Sequence, residues 1–153
     1  MDQTHIHLLI THLPIFGSLL GGLTLIHGIG VKSNQTIIAA YYIFVLSAIG
    51  ASIAYLTGEA AEESVENLQG IMELNIKTHE DFAIYALVSL IILGIAAIIG
   101  LVYTWKNSPF TRNIAFVLLF ISIISFGLVA RTGYLGGQIR HTEIQSESNP
   151  TQL

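Results

Sequence analysis

Four long apolar stretches constrain this chain more than any other feature of its sequence. None of them contains Asp, Glu, Lys or Arg, and their lengths are close to the ~20 helical residues that cross a bilayer. Because the lipid core offers the backbone no hydrogen-bond partner, such stretches cross it as helices, and we expect an all-α membrane protein. The four stretches are residues 8–30, 37–56, 82–104 and 113–130.

The composition agrees with one membrane domain and excludes several function classes. Of the 153 residues, 52% are hydrophobic and only 10% are charged, whereas soluble domains are about one quarter charged. The net charge of −4 argues against a nucleic-acid-binding protein, because such proteins are basic. The absence of cysteine excludes disulfides, Cys-ligated zinc, iron–sulfur clusters, thiol nucleophiles and covalently attached c-type haem.

Short connections between the stretches predict an up-down four-helix bundle. Residues 31–36 and 105–112 are long enough only to reverse the chain, so consecutive helices are expected to be antiparallel. Both termini then lie on the same side of the membrane. We expect residues 1–141 to form the transmembrane domain and residues 142–153 to form a flexible polar tail.

The helix ends on the side of the termini are also predicted. Gly58 and Gly133 each follow a threonine, and glycine is typical just after a helix end, so they are expected to terminate spans two and four. Between spans two and three, residues 57–78 have apolar residues every three or four positions, with glutamates between them. This pattern predicts an amphipathic helix outside the membrane.

The charges are divided unequally between the two sides of this bundle. The short connections hold Lys32, Lys106 and Arg112 and no acid, a charge of +3, whereas the other side carries −7. Basic residues in short loops mark the cytoplasmic face. We therefore predict a multi-pass protein of the bacterial inner membrane with both termini on the periplasmic side. Membrane lipid is its expected partner, and oligomer formation is left open.

The six histidines carry the chemical signal of the sequence. His27 lies toward the short connections, and the other five lie on the side of the termini. Ionisable residues at membrane depth are costly and are functional by default, so their clustering predicts a site at one end of the bundle. The clustered residues are His5, His7, His12, His79 and His141.

His12 and His79 form the best-placed pair in this cluster. Spans one and three lie diagonally across an up-down bundle. Two imidazoles on these spans can hold one haem iron from both sides, as in bis-histidine b-type cytochromes. The sequence therefore predicts one haem b, with His12 and His79 as ligands of the iron.

A second haem b is left open. It would need His141 together with His5 or His7 as ligands. Arg131 and Arg140 lie at the same end and are candidates to neutralise haem propionates, because guanidinium makes two-point contacts with a carboxylate.

Two alternative interpretations remain. A metal site is one of them, with imidazole and carboxylate ligands suited to zinc, copper or iron, although their spacing matches no established metal motif. Its candidate ligands are His5, His7, His12, His79, Glu59 and Glu80. The small size, the Gly- and Ala-rich spans and the lack of a catalytic constellation also fit a cofactor-free structural or assembly subunit of a larger membrane complex.

Short motifs along the chain resemble those of one family of small four-helix bacterial membrane proteins, catalogued as a domain of unknown function. Residues 12–15, HLPI, resemble its H-x-P-I signature, and residues 56–61, LTGEAA, resemble its T-G-x-x-A motif after span two. His79 matches a histidine that opens span three. Residues 132–137, TGYLGG, followed by His141 resemble its closing T-G-x-L-G-G-x-x-x-H stretch.

This resemblance implies redox chemistry. Related domains are fused to c-type cytochromes, and the matching histidines His12, His79 and His141 are implied as haem ligands. Tyr134 stands where many relatives have another histidine, and Thr142 replaces a glycine. The leading hypothesis is a membrane-anchored b-type haem protein that relays electrons at the outer face, with a c-type cytochrome or respiratory complex as partner. We expect an electron-transfer subunit rather than a stand-alone enzyme.

Overall fold

The computed structural model describes residues 3–66 and 73–140 of the chain. These residues form helices and contain no strand, so the predicted all-α fold is confirmed. His141 and the predicted polar tail, residues 142–153, lie outside the described residues. The helices are α1 (Gln3–Ile10), α2 (His12–Gly30), α3 (Asn34–Glu66), α4 (Glu73–Trp105) and α5 (Thr111–Arg140).

Four helical stretches are long and apolar enough to cross a membrane. Each overlaps one of the four apolar stretches predicted from the sequence. Large apolar side chains on their outer surfaces are exposed, including Ile95 at 56% and Phe120 at 65%, as expected for positions that face lipid. These are the features of a multi-pass membrane protein. The stretches are His7–Gly30, Asn34–Gly58, Lys77–Trp105 and Thr111–Gln138.

Pro14 interrupts the first of these stretches near its start. Proline has no backbone N–H to donate to the carbonyl four residues earlier, and its ring crowds that carbonyl. Accordingly, α1 ends at Ile10 and α2 begins at His12. The Pro14 carbonyl accepts hydrogen bonds from the hydroxyls of Ser18 (2.8 Å) and Ser47 (3.2 Å). The second of these bonds attaches the interrupted region to α3.

The four long helices pack in a closed ring. α2 and α4 each pack against both α3 and α5, so that α2 and α4 occupy opposite corners, and α1 packs against α3. The centre of the ring is filled by large side chains that are buried almost completely. These include Leu25, Tyr41, Phe44, Leu90, Leu93 and Leu118.

Glycines let neighbouring helices approach each other closely. A Cβ added at Gly17 of α2 would lie 2.8 Å from the Cβ of Ser47 on α3, and one added at Gly94 of α4 would lie 2.6 Å from the Cβ of Ala48. Real Cβ atoms do not approach this closely. Gly17 and Gly94 therefore serve close helix packing.

The contacts define two ends of the bundle. His7 contacts Ala54 near the end of α3, and His79 contacts Thr132 near the end of α5; we call this the histidine end. The opposite end, which carries residues 31–36 and 105–112, is called the connection end. There the Asn34 and Asn107 amides, one from each connection, lie 3.5 Å apart.

The predicted helix ends at Gly58 and Gly133 are wrong. α3 continues to Glu66 and α5 continues to Arg140, because one glycine in a helix costs only about 1 kcal/mol and leaves the backbone hydrogen bonds intact. The predicted amphipathic segment, residues 57–78, falls partly outside the described residues. Its described parts extend α3 and α4.

Candidate functional site

His7 is held at the histidine end by the carboxy-terminal part of α3. Its Nδ1 lies 2.8 Å from the carbonyl oxygen of Ala54 and 3.3 Å from the hydroxyl of Thr57. The ring lies against α3 at Gly58, because a Cβ there would be in ordinary van der Waals contact with the His7 Cε1, at 3.5 Å. The half-buried His7 ring is thus fixed against α3 although it belongs to α1.

His79 is held by α5 in the same way. Its Nδ1 lies 3.0 Å from the carbonyl oxygen of Thr132. A Cβ at Gly136 would come within 3.0 Å of the His79 Cε1, so this glycine allows the imidazole to lie directly on the α5 backbone. The half-buried ring is therefore positioned by two residues of the TGYLGG motif.

These contacts determine which nitrogen of each ring carries the proton. A carbonyl oxygen only accepts hydrogen bonds, so the Nδ1 of His7 and that of His79 must be the N–H donors. In a neutral imidazole the Nε2 then has a free lone pair. Neither Nε2 has a hydrogen-bond partner among the described residues. Both rings therefore offer an unused ligand atom.

The two imidazoles belong to the same end of the bundle and are close enough for their charges to interact. His7 is part of the span that contains α2, and His79 is part of α4, the helix at the opposite corner. The pair predicted on diagonal spans was His12 and His79, whereas the two imidazoles that the structure holds on backbone carbonyls at this end are those of His7 and His79.

Sequence reasoning missed the partners of both imidazoles. The His7 ring contacts the Ala54 carbonyl and the Thr57 hydroxyl, and the His79 ring contacts the Thr132 carbonyl. Thr57 and Thr132 each precede a glycine, and these Thr-Gly pairs are the sequence feature that the two sites share.

The structure does not place His12 beside His79. The His12 side chain is exposed, its Nδ1 lies 2.9 Å from the carbonyl oxygen of Leu8 in its own span, and its ring stacks on Phe16 with the centroids 6.4 Å apart. His27 is exposed near the connection end. His12 therefore lies on the outer surface of the bundle.

Of the two arginines predicted to pair with haem propionates, Arg131 has a described side chain. Its guanidinium lies 5.7 Å from the centre of the Phe82 ring and 5.4 Å from that of Tyr134, so cation–π contacts hold an exposed positive charge at the histidine end. The side chains of Arg140 and His5 are outside the described set, as is His141.

The alternative interpretation is a site for a bare metal ion. Zinc, for example, takes three or four protein ligands. Within residues 3–66 and 73–140, no group of three or more His, Cys, Asp or Glu side chains with a described position is arranged to hold a metal ion. Glu80 is exposed, and the position of the Glu59 side chain is not described.

Comparison of the chain with protein-family models, with curated proteins and with solved structures finds no match. Functional inference therefore depends on the side chains at the histidine end.

Proposed function

We propose that this chain is a membrane-anchored b-type haem protein in which His7 and His79 ligate one haem iron. The observation that carries the proposal is the pair of Nδ1 contacts to the carbonyls of Ala54 and Thr132. Histidines that bind metals almost always donate their other ring N–H to a carbonyl, a carboxylate or water, which fixes the tautomer and makes the ligating nitrogen more basic.

The number of ligands supports haem over a bare ion. A haem macrocycle brings four nitrogen ligands of its own, so two imidazoles complete the iron coordination. When bound, the haem supplies one-electron redox chemistry. The chain's own residues orient the two imidazoles through the backbone of α3 and α5. Arg131 is a cation at this end that could pair with a haem carboxylate.

The charge distribution supports the rest of the proposal. An up-down bundle in the bacterial inner membrane, with the histidine end periplasmic, places the basic connections in the cytoplasm. The residues between spans two and three then form an acidic extramembrane segment with amphipathic character. This acidic face suits a cationic electron carrier such as a c-type cytochrome, because complementary charge speeds encounter.

The test is an optical spectrum of detergent-purified protein, before and after dithionite, with histidine-to-asparagine variants. Asparagine keeps an N–H donor near the position of Nδ1 but offers no iron ligand. We expect a Soret band that shifts on reduction in the wild type, and its loss in His7→Asn and in His79→Asn. His12→Asn and His27→Asn are the matched controls and should keep their haem.

Equal haem content in all four variants would contradict the proposal, as would a colourless wild-type protein purified from cells with ample haem. Loss of haem in His12→Asn but not in His7→Asn would reassign the ligand to His12.

A second candidate function rests on the same hydrogen bonds. His7 joins α1 to α3, and His79 joins α4 to α5. In a cofactor-free subunit of a larger complex, the two histidines would therefore stabilise helix packing through these hydrogen bonds. This candidate predicts a colourless protein in which His79→Asn retains thermal stability and His79→Ala loses it.

A further inference from the structure

The connection end contains a polar cavity that the haem proposal does not use. Its volume is about 200 Å³, and it lies between the two short connections. Lys32 and Asn34 line it from the first connection, and Asn107, Ser108 and Arg112 line it from the second. The cavity is therefore built by two parts of the chain that are far apart in sequence; Asn34 and Asn107, for example, are 73 residues apart.

The cavity is positively charged and has no acidic neighbour. All ten acidic residues lie outside residues 3–58 and 82–142, and within the part of the chain that the structure describes neither Lys32 nor Arg112 has an acidic partner at this end. The helices α3 and α5 also begin here, at Asn34 and Thr111, and helix N-termini favour negative charge. Two cationic side chains and two helix starts thus surround one small space.

The surroundings of the cavity are those of a membrane interface. Tyr103, Trp105 and Phe110 are exposed around the second connection, and aromatic residues of this kind mark the boundary between lipid and water. An apolar groove of about 350 Å³ between α4 and α5 reaches the same connection, where Phe110 lines it together with Ile114. A polar head and an acyl chain could therefore be accommodated side by side.

We infer that this cavity binds the phosphate of an anionic phospholipid headgroup, with Lys32 and Arg112 as its cationic contacts. Basic pockets between transmembrane helices are known to recognise anionic lipid heads. The apolar groove and the exposed aromatic side chains favour a lipid over a free anion as the source of the phosphate. The site is at the opposite end from the histidines and does not depend on haem.

Native mass spectrometry tests this inference on the full chain in detergent, with phosphatidylglycerol and phosphatidylcholine added in turn. We expect the wild type to retain phosphatidylglycerol preferentially. The double variant Lys32→Gln/Arg112→Gln should retain it about thirtyfold less, because each of the two basic residues near a lipid surface contributes about 1 kcal/mol and every 1.4 kcal/mol changes affinity tenfold. Lys106→Gln is the matched control, because Lys106 is in the same connection but does not line the cavity.

Three results would overturn the inference. The first is equal retention of the two lipids by the wild type, and the second is a loss in Lys106→Gln as large as in the double variant. The third is displacement of phosphatidylglycerol by inorganic phosphate at equal concentration, which would assign the cavity to a soluble anion. Unchanged circular dichroism of the double variant shows that its helices are intact.

Discussion

A single proton on each of two imidazoles determines what the histidine end can bind. The carbonyls of Ala54 and Thr132 take the Nδ1 proton of His7 and of His79, and this leaves each Nε2 as a potential ligand. The sequence predicts the cluster of histidines and pairs His12 with His79, whereas in the structure the His12 side chain is exposed and His7 is half-buried. His7 and His12 are five positions apart, about 140° around an ideal helix, so only one of them can face the bundle. Pro14 interrupts the helical stretch between His7 and His12, so the helical periodicity of α2 does not predict whether His7 or His12 faces the bundle.

Buried hydroxyls give a prediction at the residue scale. Ser47 donates to the Pro14 carbonyl of the neighbouring helix, whereas the fully buried Ser125 hydroxyl has no partner among the described residues. Ser47→Ala should lower the free energy of unfolding by about 1 kcal/mol, the usual net contribution of one hydrogen bond.

Ser125→Ala is the matched comparison and should leave stability unchanged or raise it, because it removes a buried polar group that lacks a partner. Thermal unfolding in detergent, followed by circular dichroism, measures both. Equal destabilisation by the two substitutions would contradict the prediction and would show that the Ser125 hydroxyl does have a partner.

At the scale of the helix, the apolar stretches predict which residues cross the lipid but not where each helix ends. α3 has 33 residues and α5 has 30, so at 1.5 Å per residue each is about 45–50 Å long and exceeds the ~30 Å hydrocarbon core. Hydropathy falls where a helix leaves the lipid, and the backbone hydrogen bonds continue through that point. This is why Gly58 and Gly133 were predicted as ends although the helices pass through them.

The close approach of α3 and α4 at Gly94 gives a prediction for a helix pair. Gly94→Ala should lower the free energy of unfolding by about 1–3 kcal/mol, as overpacking usually does, because the new methyl group would meet Ala48 at 2.6 Å. Neither the methyl group nor Ala48 can rotate away.

Gly127→Ala is the control for this variant. No atom lies within 4 Å of a Cβ at Gly127, so the substitution should be neutral or should stabilise the helix by up to about 1 kcal/mol. Unfolding in graded dodecyl sulfate would compare the two, and equal midpoints would argue against tight packing at Gly94.

At the scale of the whole molecule, four spans and the all-α fold follow from hydropathy alone, because lipid leaves the backbone few alternatives. The ring of helices and the two distinct ends do not follow from it. They depend on close contacts such as that of Gly17 with Ser47, and on which face of each helix is buried, which the weak amphipathicity of membrane helices does not reveal.

The proposed orientation can be tested because the chain has no cysteine. A single cysteine at Glu80, exposed at the histidine end, should react with a membrane-impermeant maleimide added to intact cells with a permeable outer membrane. A cysteine at Lys106, exposed at the connection end, should react only after the inner membrane is disrupted. The reverse pattern would invert the orientation and place the histidine end in the cytoplasm.

The positions of the two histidines also have a consequence for biogenesis. His7 is fixed by contacts within the first two spans, and His79 by contacts within the last two. Each half of the chain can therefore orient its own imidazole as soon as that half is inserted in the membrane. Under the haem proposal, a nascent chain that has inserted only its first half holds one of the two proposed ligands, so haem would bind among the last steps of assembly, after the two halves have met.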